Sequence, residues 1–229
     1  GGLGVCYKDE KPPQIRDYVK EIVSNLEGRN ITLILEPGRS IVADAGVLLT
    51  KVEYLKPGEE KNFAVIDAAM NDMIRPALYQ AWLAVELVTG NKDLPKKWDI
   101  VGPICETGDF IAKDRLLAIR QGDLLCVRSA GAYGFSMSSN YNSRCKAAEI
   151  MVDGNNMYEI RKRETVQDLV NGESLLPNEY LSNPCEAPES ILKEAKVTLG
   201  RTYPEPIIDL KVSREEALVA FKGISPPSL

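Results

Sequence analysis

The sequence contains no histidine among its 229 residues. This absence removes the base of Ser–His and Cys–His nucleophilic machinery and the most common metal ligand. Any acid–base chemistry must therefore use Cys, Asp, Glu, Lys or Tyr side chains, or a group that another molecule supplies.

Cysteine is scarce and follows no metal-binding pattern. The five cysteines lie at positions 6, 105, 126, 145 and 185, and no two have C-x-x-C spacing. An odd number without that spacing argues against a disulfide framework and against a zinc site, so we expect no bound metal. The same pattern favours a reducing compartment, and we expect a cytoplasmic protein.

Long apolar runs and an excess of positive charge are also absent. No apolar run approaches the roughly 18 residues that a membrane-spanning helix needs. The start, "GGLGVCYKDE", lacks the basic stretch and the apolar stretch of a signal peptide. Because the net charge is −5, we expect neither a nucleic acid nor a membrane as the main partner.

Residues 1–42 have the pattern of an α/β fold. The spacing of apolar residues in "PPQIRDYVKEIVSNLEG" predicts a helix that ends at Gly28. The apolar run "ITLILE", residues 31–36, predicts a parallel strand buried on both faces. The opening Gly1-Gly2-Leu3-Gly4 is a turn that normally follows a strand. This region is therefore expected to be part of an α/β barrel or of a layered sheet.

Residues 43–178 have a β-rich pattern. Segments such as "GVLLTKVEYLKPG" and "RLLAIRQGDLLCVRSAGAYG" are separated by turn residues, and Asp153-Gly154-Asn155 is a hairpin signal. This pattern of strands and turns predicts an antiparallel sheet or barrel. The run "ALYQAWLAVELV" predicts a short helix that leads into a strand.

Residues 179–229 form a third region, to which no role is assigned. Two helices are expected there, around 188–198 and 213–222. The second has a capping box, Ser213 with Glu216, and a stop at Gly223.

Two glycine turns are candidates for binding an anion. "ILEPGRS" predicts a strand that runs into Pro37-Gly38 and Arg39, at the rim where α/β folds bind ligands. Backbone N–H groups at Gly38 and in the opening turn, together with the Arg39 guanidinium, would suit a phosphate. The same residues also fit two ordinary turns and a surface arginine.

Three further stretches carry candidate binding groups. Arg75 precedes Pro76, so a helix that opens there would place Arg75 and Tyr79 on one face, ready to share a carboxylate ligand or simply to form a charged helix entry. Tyr133 lies between small residues in "SAGAYGFS", which suits a presented phenol or a rim aromatic. In "GPICETGDF", Cys105 and Glu106 lie on a Gly- and Pro-rich turn, where we expect both to be exposed. The thiol could donate a proton and the carboxylate could bind an ammonium group, or both could be solvated surface groups.

The ordered set of these motifs resembles a known family. "GGLGV", "EPGRSIVADAGVLLTKV", "DAAMNDMIRPALY", "GPICETGD", "AGAYGFSMSSNYN" and "AAEIMVDG" occur in this order over roughly residues 1–170. They are similar to the C-terminal half of the diaminopimelate decarboxylases, in the fold-type III group of pyridoxal-phosphate decarboxylases. The resemblance implies the end of a (β/α)8 cofactor-binding barrel in residues 1–42, followed by an antiparallel β-sandwich or Greek-key barrel in 43–178.

The resemblance also implies roles for single residues. Gly1, Gly2 and Gly4 match the turn that holds the phosphate of pyridoxal 5′-phosphate, and Glu36 matches the acid that faces the pyridine nitrogen. Gly38, Arg39 and Tyr133 match further cofactor contacts, and Arg39 and Tyr133 also touch the substrate. Arg75 and Tyr79 match groups that hold the distal carboxylate of the substrate, and Glu106 matches the group that binds its distal ammonium. Cys105 matches the general acid, which is contributed across a head-to-tail homodimer.

The implied reaction is the decarboxylation of meso-2,6-diaminopimelate to L-lysine, in lysine biosynthesis. The family attaches its cofactor to a lysine that lies ahead of the glycine turn, and no lysine here matches that position, so we expect the chain by itself to be inactive. Cys145 replaces a common proline, and residues 179–229 are unlike the family's tail. Two alternatives are a non-catalytic partner that regulates a complete decarboxylase, and a decarboxylase of carboxynorspermidine or of another basic amino acid.

Overall fold

The chain folds into two compact units, Gly1–Leu169 and Val170–Leu229. The computed structural model of the protein describes residues 2–90, 92–174 and 176–224. Within these residues, no helix combines the length and the apolar character needed to cross a membrane.

The first unit begins with the predicted helix and then departs from the prediction. Helix α1 covers Ile15–Asn25, as its apolar spacing indicated. The predicted strand at 31–36 is wrong, because these residues form no strand and Ile34 is 81% exposed. A buried parallel strand needs neighbouring strands to accept and donate its backbone hydrogen bonds. None pairs with this segment in the described parts of the chain.

A six-stranded mixed sheet forms the body of the first unit. Its strands are β1 (Leu48–Lys56), β2 (Phe63–Ile66), β3 (Val85–Leu87), β4 (Lys96–Val101), β5 (Phe110–Leu117) and β6 (Leu124–Val127), in the order β3-β6-β1-β2-β4-β5. The edge strands β3 and β5 approach each other, so the sheet curls into a nearly closed barrel. This confirms the predicted β-rich barrel.

The sequence pattern predicted an antiparallel sheet, but the observed sheet is mixed. Strands β2 and β4 run parallel, while the other pairs are antiparallel. A parallel pair needs a long crossover connection, and the segment between β2 and β4 contains both the short helix α3 (Arg75–Tyr79) and strand β3. The predicted helix-then-strand pattern in "ALYQAWLAVELV" is thereby confirmed.

The core lies inside this curled sheet. On β1, the buried Thr50 and Val52 alternate with exposed residues, and the alternation shifts at a bulge between Val52 and Tyr54. Such a bulge changes which side chains face inward. The largest fully buried apolar side chains of the core are Val52, Ile66, Met73, Leu83, Ile100, Ile111, Leu125 and Val127.

The remaining elements of the first unit are short. Helix α2 covers Gly38–Val42 and continues into a 3₁₀ turn at Ala43–Ala45. Strands β7 (Glu149–Asp153) and β8 (Asn156–Arg161) form the predicted hairpin, in which Gly154 has a φ of 57° that suits glycine. The unit closes with helix α4 (Val166–Leu169).

The second unit contains the two predicted helices, with one corrected start. Helix α5 covers Glu189–Glu194 and helix α6 covers Leu210–Ile224. The predicted capping box at Ser213 is wrong, because α6 begins three residues earlier. Asp209 caps it instead, since its carboxylate accepts the N–H groups of Lys211 at 2.8 Å and of Val212 at 3.1 Å.

A backbone contact joins the loop after β6 to the segment that follows α2. The Ala130 N–H donates to the Gly46 carbonyl at 2.9 Å, and the Gly131 N–H donates to the Ala43 carbonyl at 3.0 Å. A side chain on Gly131 would overlap the carbonyl oxygen of Val42, so only glycine allows this approach. The contact therefore brings residues 129–135 directly against α2.

We expect Gly131→Ala to lower the free energy of unfolding by about 1–3 kcal/mol, the usual range for forcing an extra methyl group into a packed site. Urea unfolding followed by circular dichroism measures this change. The matched control is Gly90→Ala, because a methyl group at Gly90 meets nothing within 4 Å. Equal stability of the two variants would show that the loop accommodates the methyl group.

Candidate functional site

A small cavity brings together most of the residues predicted to bind the cofactor. It has a volume of about 150 Å³ and is lined by Gly2, Leu3, Glu36, Pro37, Gly38, Arg39 and Tyr133. Gly2 has a φ of 100°, a left-handed conformation that favours glycine. Gly4 does not line the cavity, and Gly1 lies outside the described residues. The lining of the cavity therefore combines glycine backbone, one carboxylate and one guanidinium.

The ring of Tyr133 links the cavity to a second arginine. The guanidinium carbons of Arg39 and Arg75 each lie 5.5 Å from the centre of this ring, which is within the range of a cation–π interaction. Tyr133 has a φ of 66°, which is uncommon for a residue with a side chain. The loop therefore presents this ring to two cations at some conformational cost.

Arg75 is the more buried of these cations. Its exposed fraction is 8%, and its Nη1 donates a hydrogen bond to the Tyr7 hydroxyl at 2.8 Å. The Tyr7 ring centre lies 5.2 Å from the guanidinium carbon. Across residues 2–90, 92–174 and 176–224, neither Arg75 nor Arg39 forms an ion pair with a carboxylate. A buried cation without an acidic partner is costly, so this site favours an anionic ligand.

Tyr79 is not part of this buried group. Helix α3 opens at Arg75 with Pro76 in its first turn, as predicted. Tyr79 ends the helix and is 61% exposed. No described contact joins its side chain to the cavity residues.

Cys105 and Glu106 lie on a separate exposed loop, as the turn composition predicted. The loop is closed by the buried carboxylate of Asp109, which accepts the N–H groups of Met70 at 2.7 Å and of Ile104 at 2.9 Å. Burial raises the pKa of Asp109, and the two backbone hydrogen bonds offset part of that increase. Asp109 therefore fixes the turn that presents the thiol and the carboxylate.

Tyr141 connects this loop to the next one. Its hydroxyl donates to Oε2 of Glu106 at 3.2 Å, and this hydrogen bond raises the pKa of Tyr141. Arg144 anchors the Tyr141 segment, since its Nε donates to Oδ1 of Asn71 at 2.9 Å and its Nη2 to the Asp67 carbonyl at 2.6 Å. The orientation of Glu106 thus depends on contacts made far along the chain.

Tyr7, Asp109, Tyr141 and Arg144 were not predicted as site residues. Each acts through a partner distant in sequence, such as Tyr7 with Arg75, which are 68 positions apart. The sequence offers a local signal for three of them, because Tyr7 lies two residues after "GGLGV", and Asp109 and Tyr141 lie inside "GPICETGD" and "AGAYGFSMSSNYN". Local patterns do not reveal which distant residue such a tyrosine contacts.

Two features define the class of protein to which this site belongs. A cavity lined by glycine backbone and by the Arg39 guanidinium suits a small anionic ligand, and a nearby buried arginine suits a second anionic group. The barrel that supports them leaves an acid and a thiol on one exposed loop. The fold and the site together suit a domain that binds small charged molecules.

Comparison with known proteins identifies the family. The family model described as "Pyridoxal-dependent decarboxylase, C-terminal sheet domain" matches residues 9–131. The diaminopimelate decarboxylase of Pseudomonas aeruginosa is 66% identical over 177 residues, which are 77% of this chain and 43% of that protein. That of Vibrio cholerae is 58% identical over 178 residues, 77% of this chain and 43% of the relative.

Solved structures give the same result. The diaminopimelate decarboxylase of Helicobacter pylori in complex with L-lysine is 42% identical, with a TM-score of 0.70 over 75% of this chain and 43% of that one. The M. jannaschii enzyme in complex with L-lysine is 35% identical, with a TM-score of 0.69 over 76% of this chain and 41% of that one.

The chain belongs to the pyridoxal-dependent decarboxylase family, and the resemblance of its sequence to the C-terminal half of the diaminopimelate decarboxylases is confirmed. It spans about two fifths of the length of these relatives.

We expect Asp109→Asn to lower the free energy of unfolding by about 1–3 kcal/mol, because an amide has one acceptor oxygen and leaves one buried N–H group unpaired. The raised pKa adds a pH dependence. A folded state that binds the proton more tightly than the unfolded state loses stability from this group as the pH rises. The stability difference between wild type and variant should therefore shrink as the pH rises from about 4, the ordinary pKa of aspartate.

Urea unfolding at several pH values between pH 4 and 7 measures both effects. Asp153→Asn is the matched control, because Asp153 is exposed at the end of β7. An equal loss in both variants would contradict the role given to Asp109, and a stability difference that grows with pH would contradict its raised pKa.

Proposed function

We propose that this chain supplies the C-terminal part of a diaminopimelate decarboxylase, which depends on pyridoxal 5′-phosphate and converts meso-2,6-diaminopimelate to L-lysine in lysine biosynthesis. The observation that carries the proposal is the convergence of Gly2, Glu36, Gly38, Arg39 and Tyr133 on one cavity. These are five of the residues that the family resemblance assigns to the cofactor.

The residues at the cavity suit the two ends of this cofactor. Backbone N–H groups at Gly2 and Gly38, together with the guanidinium of Arg39, form a donor set for a phosphate group. The carboxylate of Glu36 is the acceptor that a protonated pyridine nitrogen needs. When bound, pyridoxal phosphate supplies an electron sink for the electron pair that remains when a carboxylate leaves as CO₂.

The buried arginine suits the far end of the substrate. Diaminopimelate carries an amino-acid group at each end, so an enzyme that holds one end for reaction must bind a carboxylate and an ammonium at the other. Arg75 is buried and forms no ion pair with a carboxylate among the described residues. It would bind the distal carboxylate, with Tyr79 on the same helix α3. Glu106 would bind the distal ammonium. The Helicobacter pylori and M. jannaschii relatives in complex with L-lysine support a ligand of this kind.

Cys105 is the proposed proton donor. The carbon that loses its carboxylate must gain a proton, and the chain has no histidine to deliver one. An exposed thiol on a fixed turn can carry out this step. The proton would move from Sγ of Cys105 to that carbon, and the thiolate would then recover a proton from solvent.

Two copies of the chain are proposed to share each site. The loop that carries Cys105 and Glu106 has no described contact with the residues of the cavity, and both side chains are exposed. A homodimer in which this loop reaches into the partner's cavity would complete the site. The five free cysteines fit a reducing cytoplasm.

The activity can be tested by restoring the part of the relatives that this chain does not match. The unmatched part of the Pseudomonas aeruginosa enzyme is fused ahead of the full 229-residue chain, and CO₂ release from meso-diaminopimelate is measured with added pyridoxal phosphate. We expect the fusion to release CO₂ and L-lysine in equal amounts. The chain without the fused part should release none, because none of its lysines matches the lysine that bears the cofactor.

A pair of variants makes this test specific. Arg75→Met in the fusion should raise KM for diaminopimelate about tenfold or more, because the distal carboxylate loses a charged hydrogen-bond partner. Arg201→Met, at an exposed position in the second unit, should leave KM unchanged. A fusion that folds and binds pyridoxal phosphate but releases no CO₂ would refute the proposed function.

Shared sites predict that two inactive variants restore each other. In the fusion, Cys105→Ala removes the proton donor and Arg39→Ala removes the cation of the cavity. One of the two sites in a mixed dimer contains neither change, and about half of the dimers in an equal mixture of refolded subunits are mixed. The mixture should therefore recover about a quarter of the activity of the unaltered fusion.

The control mixture combines Cys105→Ala with Glu106→Gln, which alter the same loop. Every site of that mixed dimer contains one damaged loop, so no activity should return. Failure of the first mixture to recover, with mixed dimers present by native mass spectrometry, would mean that each chain builds its own site.

A further inference from the structure

Tyr7 makes two contacts with the one buried cation of the site. It accepts the hydrogen bond from Nη1 of Arg75 at 2.8 Å, and its ring centre lies 5.2 Å from the guanidinium carbon. The ring also packs against the core of the sheet. Tyr7 therefore connects Arg75 to the hydrophobic core of the first unit.

The backbone around Tyr7 is held by its own turn. The carboxylate of Glu10 accepts the N–H groups of Lys8 at 2.7 Å and of Tyr7 at 3.0 Å. These backbone hydrogen bonds, that of Lys8 first, lower the pKa of Glu10. The turn begins at Tyr7, three residues after Gly4, so it connects the opening glycine segment to the surroundings of Arg75.

We propose that Tyr7 is a positioning residue, which fixes the Arg75 guanidinium so that it selects a substrate with a distal carboxylate. This rests on the proposed function, in which Arg75 binds that carboxylate. Tyr7 touches neither cofactor nor substrate in this scheme. It acts only through Arg75.

A tyrosine suits this task better than an acidic residue. An aspartate or glutamate in its place would orient Arg75 equally well but would neutralise its charge and compete with the ligand. A neutral hydroxyl occupies one N–H group, and the aromatic face interacts with the cation without cancelling its charge. The remaining N–H groups of Arg75 keep the geometry that a carboxylate accepts.

The first test uses the 229-residue chain and needs no activity. Tyr7→Phe keeps the ring and removes the hydroxyl that accepts the hydrogen bond from Arg75. We therefore expect the guanidinium protons of Arg75 to exchange with solvent about tenfold faster. Nuclear magnetic resonance measures this exchange rate. Tyr54→Phe is the matched control, because Tyr54 lies exposed on β1. Unchanged exchange in Tyr7→Phe would overturn the positioning role.

The second test separates selectivity from general damage. In the fusion described above, inhibition by L-lysine is compared with inhibition by L-lysinamide, which lacks the negative carboxylate. Tyr7→Phe should raise the inhibition constant of L-lysine about tenfold and that of L-lysinamide less than about twofold, with kcat nearly unchanged. Equal losses for both inhibitors would reduce Tyr7 to a structural role and overturn the inference.

The two proposals fail in different ways. A wild-type fusion that releases no CO₂ refutes the proposed function, while the proton exchange of Arg75 still decides whether Tyr7 holds it. An active wild-type fusion with unchanged L-lysine inhibition in Tyr7→Phe refutes the inference alone.

Discussion

The candidate cavity depends on the contact between two stretches of backbone, Ala130–Gly131 and Ala43–Gly46. Side-chain rotamers do not set this contact, because carbonyl and N–H groups meet directly and Gly131 offers no side chain to separate them. The Ser129 hydroxyl adds a bond of 2.7 Å to Asp44. Tyr133 and Arg39 are therefore held by main chain on both sides, which gives the precision that a binding site requires.

The charged residues of the site and those of the surface differ in the partners that they contact. Arg120 with Asp93 and Arg128 with Glu86 form exposed ion pairs, which contribute little to stability. Arg75 is buried and contacts two aromatic rings and a hydroxyl instead of a carboxylate. Its charge is thus stabilised without being neutralised. The contacts that allow this cation to be buried also leave it able to pair with the anionic group proposed above.

Local patterns predicted the elements whose structure is decided locally. Helix α1, the start of α3 at Pro76 and the turn at Gly154 were predicted correctly because each depends on neighbouring residues. The structure of residues 31–36 was not predictable in this way, because an apolar run has the same composition whether or not partner strands lie beside it. The start of α6 shows a related limit, since the Ser213 pattern falls inside a helix that Asp209 caps four residues earlier.

The site was predictable in composition but not in arrangement. Arg39, Arg75, Tyr133 and the Cys105-Glu106 pair were identified from motifs that carry chemistry. The sequence did not predict how these residues group into a cavity and a separate loop, because this grouping follows from contacts between positions many tens of residues apart. Tyr7 and Tyr141 were missed for the same reason, since each has its role only through its partner.

The separation of these two groups has a consequence for mechanism. Asp109 and Tyr141 hold the loop of Cys105 and Glu106 by contacts that involve no residue of the cavity. Each group is thus organised independently on the same barrel. A thiol that is rigidly presented yet exposed is suited to enter a cavity built elsewhere, because it needs no rearrangement to do so. In the homodimer proposed above, one such loop per copy would serve one cavity per copy, so the same contact would complete both sites.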